Sequence, residues 1–357
     1  MPRIAWENEI LGFVPKTDWL DVGTIVARPN DPVDQLIDDD KTDNLVAEWE
    51  SLAAEYQIPV MAQFHGFDTE AQTTFRVPVD RHNIEKGLIK VKINQSERMR
   101  ALLRSGVQND DLYDYIIRDG VRLSDQVVTR SKVAKNELLA TGKVTIKENN
   151  LNLTVDYGVP AGNTAFTIDL SANADISAQF QNVVDAATAK GVTLTGMYTS
   201  KKVISKIRSN TKLQTAINGN VGAGAQIKKS DLLQYLSEEF DINQVLTNDL
   251  TYGQSASINA STGRPSIKTA RYYPQNKITF FATNPGGKLG RGLWGDPPEI
   301  DNAKFYANDE PSSSPYVYVT QMMEWDPAVL WTKASGLFMP VLFNPNSLFI
   351  GTVQSEG

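Results

Sequence analysis

Residues 110–142, DDLYDYIIRDGVRLSDQVVTRSKVAKNELLATG, decide how the rest of the chain is read. No proline falls between Asp111 and Leu139, and Leu112, Ile116, Leu123, Val127, Ala134 and Leu138 recur at spacings of four and seven residues. That period puts them on one stripe of an α-helix. Asp114, Arg118, Arg122, Asp125 and Lys132 take the other side, which is expected to be solvated or to face a polar partner. Arg130 and Glu137 stand at the margin of the stripe. Asn109, Asp110 and Asp111 offer a cap and negative charge at the positive end of the helix dipole, and Gly142 offers the stop. About thirty residues at ~1.5 Å each give a rod of roughly 45 Å. The mean globular helix has ~11–12 residues, so this rod exceeds what a compact core needs. Gly120 is its one blemish, at about 1 kcal/mol against Ala.

The rod runs straight into β structure. Lys143–Ile146 and Leu151–Tyr157 flank Asn149-Asn150, which reads as a hairpin closing on Gly158-Val-Pro160. Upstream, residues 1–52 read as irregular, with aromatic patches at Trp6, Phe13 and Trp19 and an acidic run Asp38–Asp40. Residues 43–56 fit an amphipathic helix capped by Asp43. Val60–Phe64 and Thr73–Val77 read as the strands of a ribbon, which is marginal alone and must dock on something. Leu88–Ile93 alternates Ile89, Val91 and Ile93 against Lys90 and Lys92, the pattern of a half-buried strand. Ser96–Ser105 reads as a short basic helix.

Downstream, a helix is expected over Ala172–Lys190, a strand over Val192–Tyr198 and a helix capped by Ser200. Asn218–Gly224 reads as a flexible loop, and Ser230 as the cap of a helix over Asp231–Phe240. Strands follow at Val245–Tyr252, Ala270–Tyr273 and Lys277–Ala282, with Gly253–Lys268 an exposed loop. Tyr316–Glu324 alternates as a strand, and Pro340–Val353 reads as a proline-bracketed pair of strands.

The totals narrow the chemistry. At 357 residues, two or three subdomains are expected. With no cysteine, disulfides, thiolate catalysis and cysteine metal sites are excluded, and assembly in a reducing cytoplasm fits. Met1–Asp21 lacks a basic start followed by an apolar run, so no secretory leader is expected, and no apolar span suggests a membrane helix. A net charge of −7 argues against tight sequence-independent DNA binding by the overall field. The only histidines, His65 and His82, match no zinc or triad pattern. Asn284–Gly292 is glycine-rich beside Lys288 and Arg291 and could cradle a phosphate, but it lacks the Walker ending. A flexible loop between strands is the better reading. Asp38–Asp40 lacks calcium-loop spacing and reads as a solvated charge run. Neither a cofactor nor a metal is expected. The six tryptophans with Tyr272, Tyr273, Tyr316 and Tyr318 keep one alternative open: a carbohydrate-binding or carbohydrate-active protein using a carboxylate pair.

Several pieces in order carry a resemblance. LLATGKVTI and VDYGVPAGNT at the helix exit, GVTLTGMYTS, PQNKITFFATNPGGKLG and the closing YVYVTQMMEWDPAVLWTKASGLFMPVLFNPNSLFIGTV are similar to the major capsid proteins of tailed bacteriophages, of the lambda E type. The resemblance covers most of residues 88–353. It implies an α+β, tailed-phage major capsid fold. An N-terminal arm would span 1–57, an extended β-hairpin loop 58–87, and a peripheral domain 88–191 with its spine helix at 110–141. An axial domain would span 192–300, and residues 301–357 would return to the peripheral strands. It further implies a shell protein without catalytic activity that binds itself as pentamers and hexamers and encloses DNA without reading sequence. Scaffold, portal and decoration proteins are the further partners implied, with no membrane. The place implied is the virion, assembled in the host cytoplasm. With the exposed extensions, the resemblance marks Phe64, His65, Phe75, Arg76, Arg122, Arg130, Trp325, Asp326, Pro340 and Asn346 as assembly residues.

Overall fold

The computed structural model describes residues 31–52, 61, 79–95, 109–219, 225–258, 265–300, 316–326 and 328–354. The expected aromatic patches at 6–19, the ribbon strands at 60–64 and 73–77 (save Met61) and the basic helix at 96–105 lie outside the described residues.

A 3-10 turn, Pro32–Gln35, leads into β1 (Ile37–Lys41). There follow β2 (Val46–Leu52), β3 (Val79–Glu85), β4 (Gly87–Gln95) and the long helix α1 (Asn109–Thr141). Then come β5 (Lys143–Glu148), β6 (Leu151–Asp156), α2 (Ala161–Thr164), β7 (Phe166–Asp169), α3 (Ile176–Thr188) and β8 (Gly196–Thr199). Three helices follow in succession: α4 (Lys201–Arg208), α5 (Thr211–Asn218) and α6 (Lys229–Phe240). The chain continues through β9 (Gln244–Thr247), β10 (Thr251–Ile258), β11 (Pro265–Arg271), β12 (Lys277–Phe281) and β13 (Gly290–Gly295). It closes with β14 (Tyr318–Trp325), β15 (Ala328–Leu342) and β16 (Leu348–Gln354).

The helix α1 runs for 33 residues, and Leu123, Val127, Ala134 and Leu138 on the expected stripe are all buried. Gly142 stops it with φ at +71°, a conformation that costs glycine little and other residues more. Its amide donates to Leu138 O at 2.8 Å. Two sheets meet this rod. In the first, the fifteen-residue β15 is flanked by β14 and β4 along its first part and by β13 along its second, with β1 parallel to β13 outside. The second sheet has the order β7-β16-β12-β8-β9.

Side chains alternate across a strand, and in the second sheet that alternation divides them between two cores. Tyr198, Phe281, Leu348 and Ile350 point into the core that holds α1 and the first sheet. Met197, Ile278, Phe280, Phe349 and Val353 point into a second core closed by α3, α4, α5 and α6. One sheet therefore serves both.

Several elements differ from the sequence reading. Residues 46–52 form a strand, not a helix, paired antiparallel with β3 from Val46↔Glu85 to Leu52↔Val79. Seven residues of VAEWESL fit either period, and the ladder offered by β3 decides between them. The loop expected over 253–268 is largely a ribbon, β10 on β11, with a bulge between Gly253 and Ser255. The strand read at 192–198 is confined to 196–199, and that read at 245–252 is two strands divided around the buried Asn248. Ser230 does not cap α6; its hydroxyl donates to Asp231, and Lys228 holds the cap position. Helix α5, capped by Asn210, was not anticipated. The closing strands do not pair with each other, since β15 lies in the first sheet and β16 in the second.

Candidate functional site

The most connected polar site lies where α1, the segment 31–41 and the second sheet converge. Asp31 is wholly buried at the cap of the 3-10 turn and accepts from Val33 N at 3.0 Å. Asn248 Nδ2 donates to Asp31 Oδ1 at 2.9 Å and Asn136 Nδ2 donates to Asp31 Oδ2 at 3.2 Å. Asn136 Oδ1 in turn accepts from Tyr198 Oη at 2.8 Å and Asn248 Nδ2 at 3.0 Å. Burial pushes the Asp31 carboxyl above its ordinary value, against the Val33 amide. Burial also drives the Tyr198 hydroxyl well up, so it stays protonated as a donor.

Beside this knot, Lys135 of α1 has no exposed side-chain surface. Its ammonium lies 2.9 Å from Asp34 Oδ1 and 3.0 Å from Asp39 Oδ1, and donates to Ile37 O at 3.0 Å. Lys132, placed by the sequence on the polar face, is buried and pairs with Asp34 at 3.4 Å. At Lys132 the polar partner is thus the chain's own Asp34, while Arg122 on the same face is exposed. The acidic run is not a solvated charge cluster. Asp39 accepts from Trp294 Nε1 at 2.8 Å and from Lys135, while Asp40 pairs with Arg291 at 3.0 Å. These pairs tie β1 to β13 and α1. A third buried lysine, Lys86 between β3 and β4, donates to the carbonyls of Thr42, Asn44 and Trp294 at 2.9, 2.5 and 3.2 Å. Burial lowers its pKa, with Asp43 and Asp296 opposing.

The glycine-rich stretch 284–292 builds no phosphate cradle. A turn at Asn284–Gly287 leads into β13, in the middle of the first sheet. A Cβ on Gly290 would stand 2.0 Å from Val341 O, and one on Gly292 2.5 Å from Asp39 Oδ1. These glycines let backbones and buried charges approach, and Arg291 is engaged by Asp40. The flexible loop expected there is confined to the residues before Gly290. A sugar platform finds no support either. Trp294, Tyr272 and Tyr273 are buried, and the Tyr273 hydroxyl meets Thr279 Oγ1 at 2.8 Å.

The ten residues marked for assembly do not form one cluster. Phe64, His65, Phe75 and Arg76 lie outside the described residues. Arg122 is exposed on α1, and Arg130 pairs with Glu148 of β5 at 3.1 Å. Trp325 ends β14, opposite Ala328, and Asp326 is exposed in the turn that follows. Pro340 and Asn346 are interior: Pro340 O accepts from Tyr157 Oη at 2.5 Å, and Asn346 is only 5% exposed. Their burial makes them packing residues of the chain itself rather than outer contacts. The Asp31 knot was missed because its members are up to 217 positions apart, with no local spacing to betray them.

The family model for phage major capsid protein E matches residues 65–353. A crystal structure of a phage-related protein from Bordetella bronchiseptica is similar at 10% identity and TM-score 0.53, over 95% of this chain and 96% of that one. A crystal structure of a putative prophage capsid protein from Escherichia coli CFT073 is similar at 11% identity and TM-score 0.51, covering 95% and 97%. Comparison with curated sequences gives no match. At such identities the structures speak for the fold, a mixed helix-and-sheet fold of the phage capsid type. The family model speaks for the rest: this chain belongs to the phage major capsid protein E family and has a shell-forming structural role.

Proposed function

We propose that the chain is the repeating subunit of an icosahedral phage head, closing through pentamers and hexamers around DNA and carrying no catalysis of its own. The observation that carries this is the family match across residues 65–353. The architecture supports it. A helix of 33 residues spans one core and packs on a sheet shared with the other. The paired strands β2 and β3 stand as the base from which a hairpin loop over 58–87 would leave, with an arm over 1–57 before it. A peripheral domain over 88–191, completed by strands from 301–357, would hold α1 and its core, although β7 and α3 of that range pack in the second core and β13, outside it, lies in the first sheet. The helices α4 to α6 belong to an axial domain over 192–300. Arm and loop extensions make heterologous contacts, and such contacts close into rings when the rotation closes. Several weak contacts per subunit then hold each copy together. Arg122 and Asp326 are the exposed candidates for those contacts. Scaffold, portal and decoration proteins are further partners, and the virion is the place, reached by assembly in the host cytoplasm.

Expression of the chain alone and with its neighbouring phage proteins, followed by electron microscopy and light scattering, tests this. Uniform hollow particles or capsomer rings that depend on concentration and salt are expected. A species that stays monomeric at every concentration in both settings refutes the reading.

A further inference from the structure

Between Asp185 and Asp231 the chain has no acidic residue, although it carries 42 of them and a net charge of −7. The same stretch holds eight basic residues. The fold gathers most of them around one junction. Arg208 Nε at the end of α4 donates to Ile227 O at 2.6 Å, and Ile227 N donates back to Arg208 O at 3.3 Å. The start of α5 lies three residues beyond Arg208, and the start of α6 two beyond Ile227. Val203, Ile204, Ile207 and Leu213 turn into the second core, so the opposite sides of α4 and α5 face out. Lys201, Lys202, Lys212, Lys228 and Lys229 are exposed there. Local acids engage two positions: Asp249 accepts from the Lys201 amide at 2.9 Å, and Asp175 lies 3.6 Å from Lys212. Among the described residues no ion pair engages Lys202, Lys206, Lys228 or Lys229.

Helix stability does not account for this placement. Lys201, Lys202, Lys212 and Lys229 sit in first turns, where the helix dipole disfavours cations. Nor does a protein interface. Such interfaces deplete lysine and gather aromatic and large apolar anchors, and among the described residues no exposed large hydrophobic one falls in this stretch. Exposed lysines, with the hydroxyl of Ser205 beside them on α4, suit phosphate oxygens. We propose that the α4–α5–α6 junction binds the phosphate backbone of double-stranded DNA without reading its sequence. The shell reading supplies the identity of the polyanion; the charge pattern supplies the site.

The test is a titration of the full chain with a short fluorescent DNA duplex across a salt series. It compares wild type with the combined variant Lys202→Gln, Lys206→Gln, Lys228→Gln and Lys229→Gln and with the four matching Lys→Arg changes. Circular dichroism confirms folding, and electron microscopy scores particles separately. Each phosphate contact contributes about 0.9 to the slope of log affinity on log salt, so the glutamine variant is expected to lose roughly 3–4 from that slope and at least about tenfold in affinity. The arginine variant should keep both. An unchanged slope in the glutamine variant overturns the proposal. So does equal wild-type binding to polyglutamate, which would mark an acidic protein partner, and so does lost particle formation with DNA binding intact. Absence of particles in every variant with the slope change preserved would count against the shell reading and leave the site standing.

Discussion

Asp31 concentrates three constraints in one carboxyl. It caps a turn, receives amides from α1 and from the residue after β9, and has no exposure to water. Because burial outweighs its donors and nearby Lys132, while Asp34 adds repulsion, its pKa lies above 3.8 in the fold. The folded chain therefore holds this proton to higher pH than the unfolded chain does. Its contribution is greatest below 3.8 and is lost as pH rises through the raised native value. Denaturation of wild type and Asp31→Asn across that range should show wild type losing stability relative to the variant as pH rises. A flat difference would mean that the donors balance desolvation, and a rise of wild type over the variant that they outweigh it. Gly290 poses a steric constraint of the same locality. Gly290→Ala should destabilise by about 1–3 kcal/mol, since the new methyl meets the Val341 carbonyl and one of the two strands must move. Urea titration reads this directly, and an unchanged midpoint would show that β13 can shift at no cost.

At the scale of elements, the helix α1 was legible because its apolar positions repeat over so many turns that no other structure satisfies them. Val127 is fully buried on that stripe and Arg122 is exposed. Val127→Asp should cost more than about 4 kcal/mol by burying an unpaired charge, leaving insoluble subunits, whereas Arg122→Ala should stay within about 0.5 kcal/mol of wild type. Soluble yield and thermal unfolding distinguish the two, and equal behaviour would place the buried face elsewhere. The hairpin β5–β6 was legible for a similar reason: Asn149 and Asn150 both take positive φ, which that residue tolerates. Shorter elements were not. Seven residues at 46–52 fit two periods, and only the ladder from β3, which no local pattern announces, makes them a strand. The run Asp38–Asp40 looked solvated because its partners Lys135 and Arg291 lie far along the chain. Lys132 looked like the outer face of a helix for the complementary reason, its partner Asp34 lying far along the chain. Charges paired across the fold are invisible to any reading of neighbours.

At the scale of the whole molecule, length alone suggested several subdomains, and two cores are present. What length could not show is that they share a sheet. Phe280 and Phe281 are neighbours in β12, yet one packs in each core; Phe349 and Ile350 divide in the same way along β16. Thr279 of the same sheet donates to Leu139 O of α1 at 2.7 Å, and Tyr198 reaches Asn136 from β8. Losing the sheet exposes both apolar surfaces at once, so neither core has an independent folded state to retreat to. The subunit should therefore unfold in one cooperative transition despite its length. Ile207→Ala, wholly buried in the second core, should cost about 2–5 kcal/mol and lower hydrogen-exchange protection equally in α3 and at Leu138–Ala140 of α1. Exchange on the isolated subunit, read by mass spectrometry, decides between the alternatives. A loss of protection confined to α3, α4, α5 and α6, with α1 untouched, would show two separately folding units joined by a sheet that belongs to only one of them.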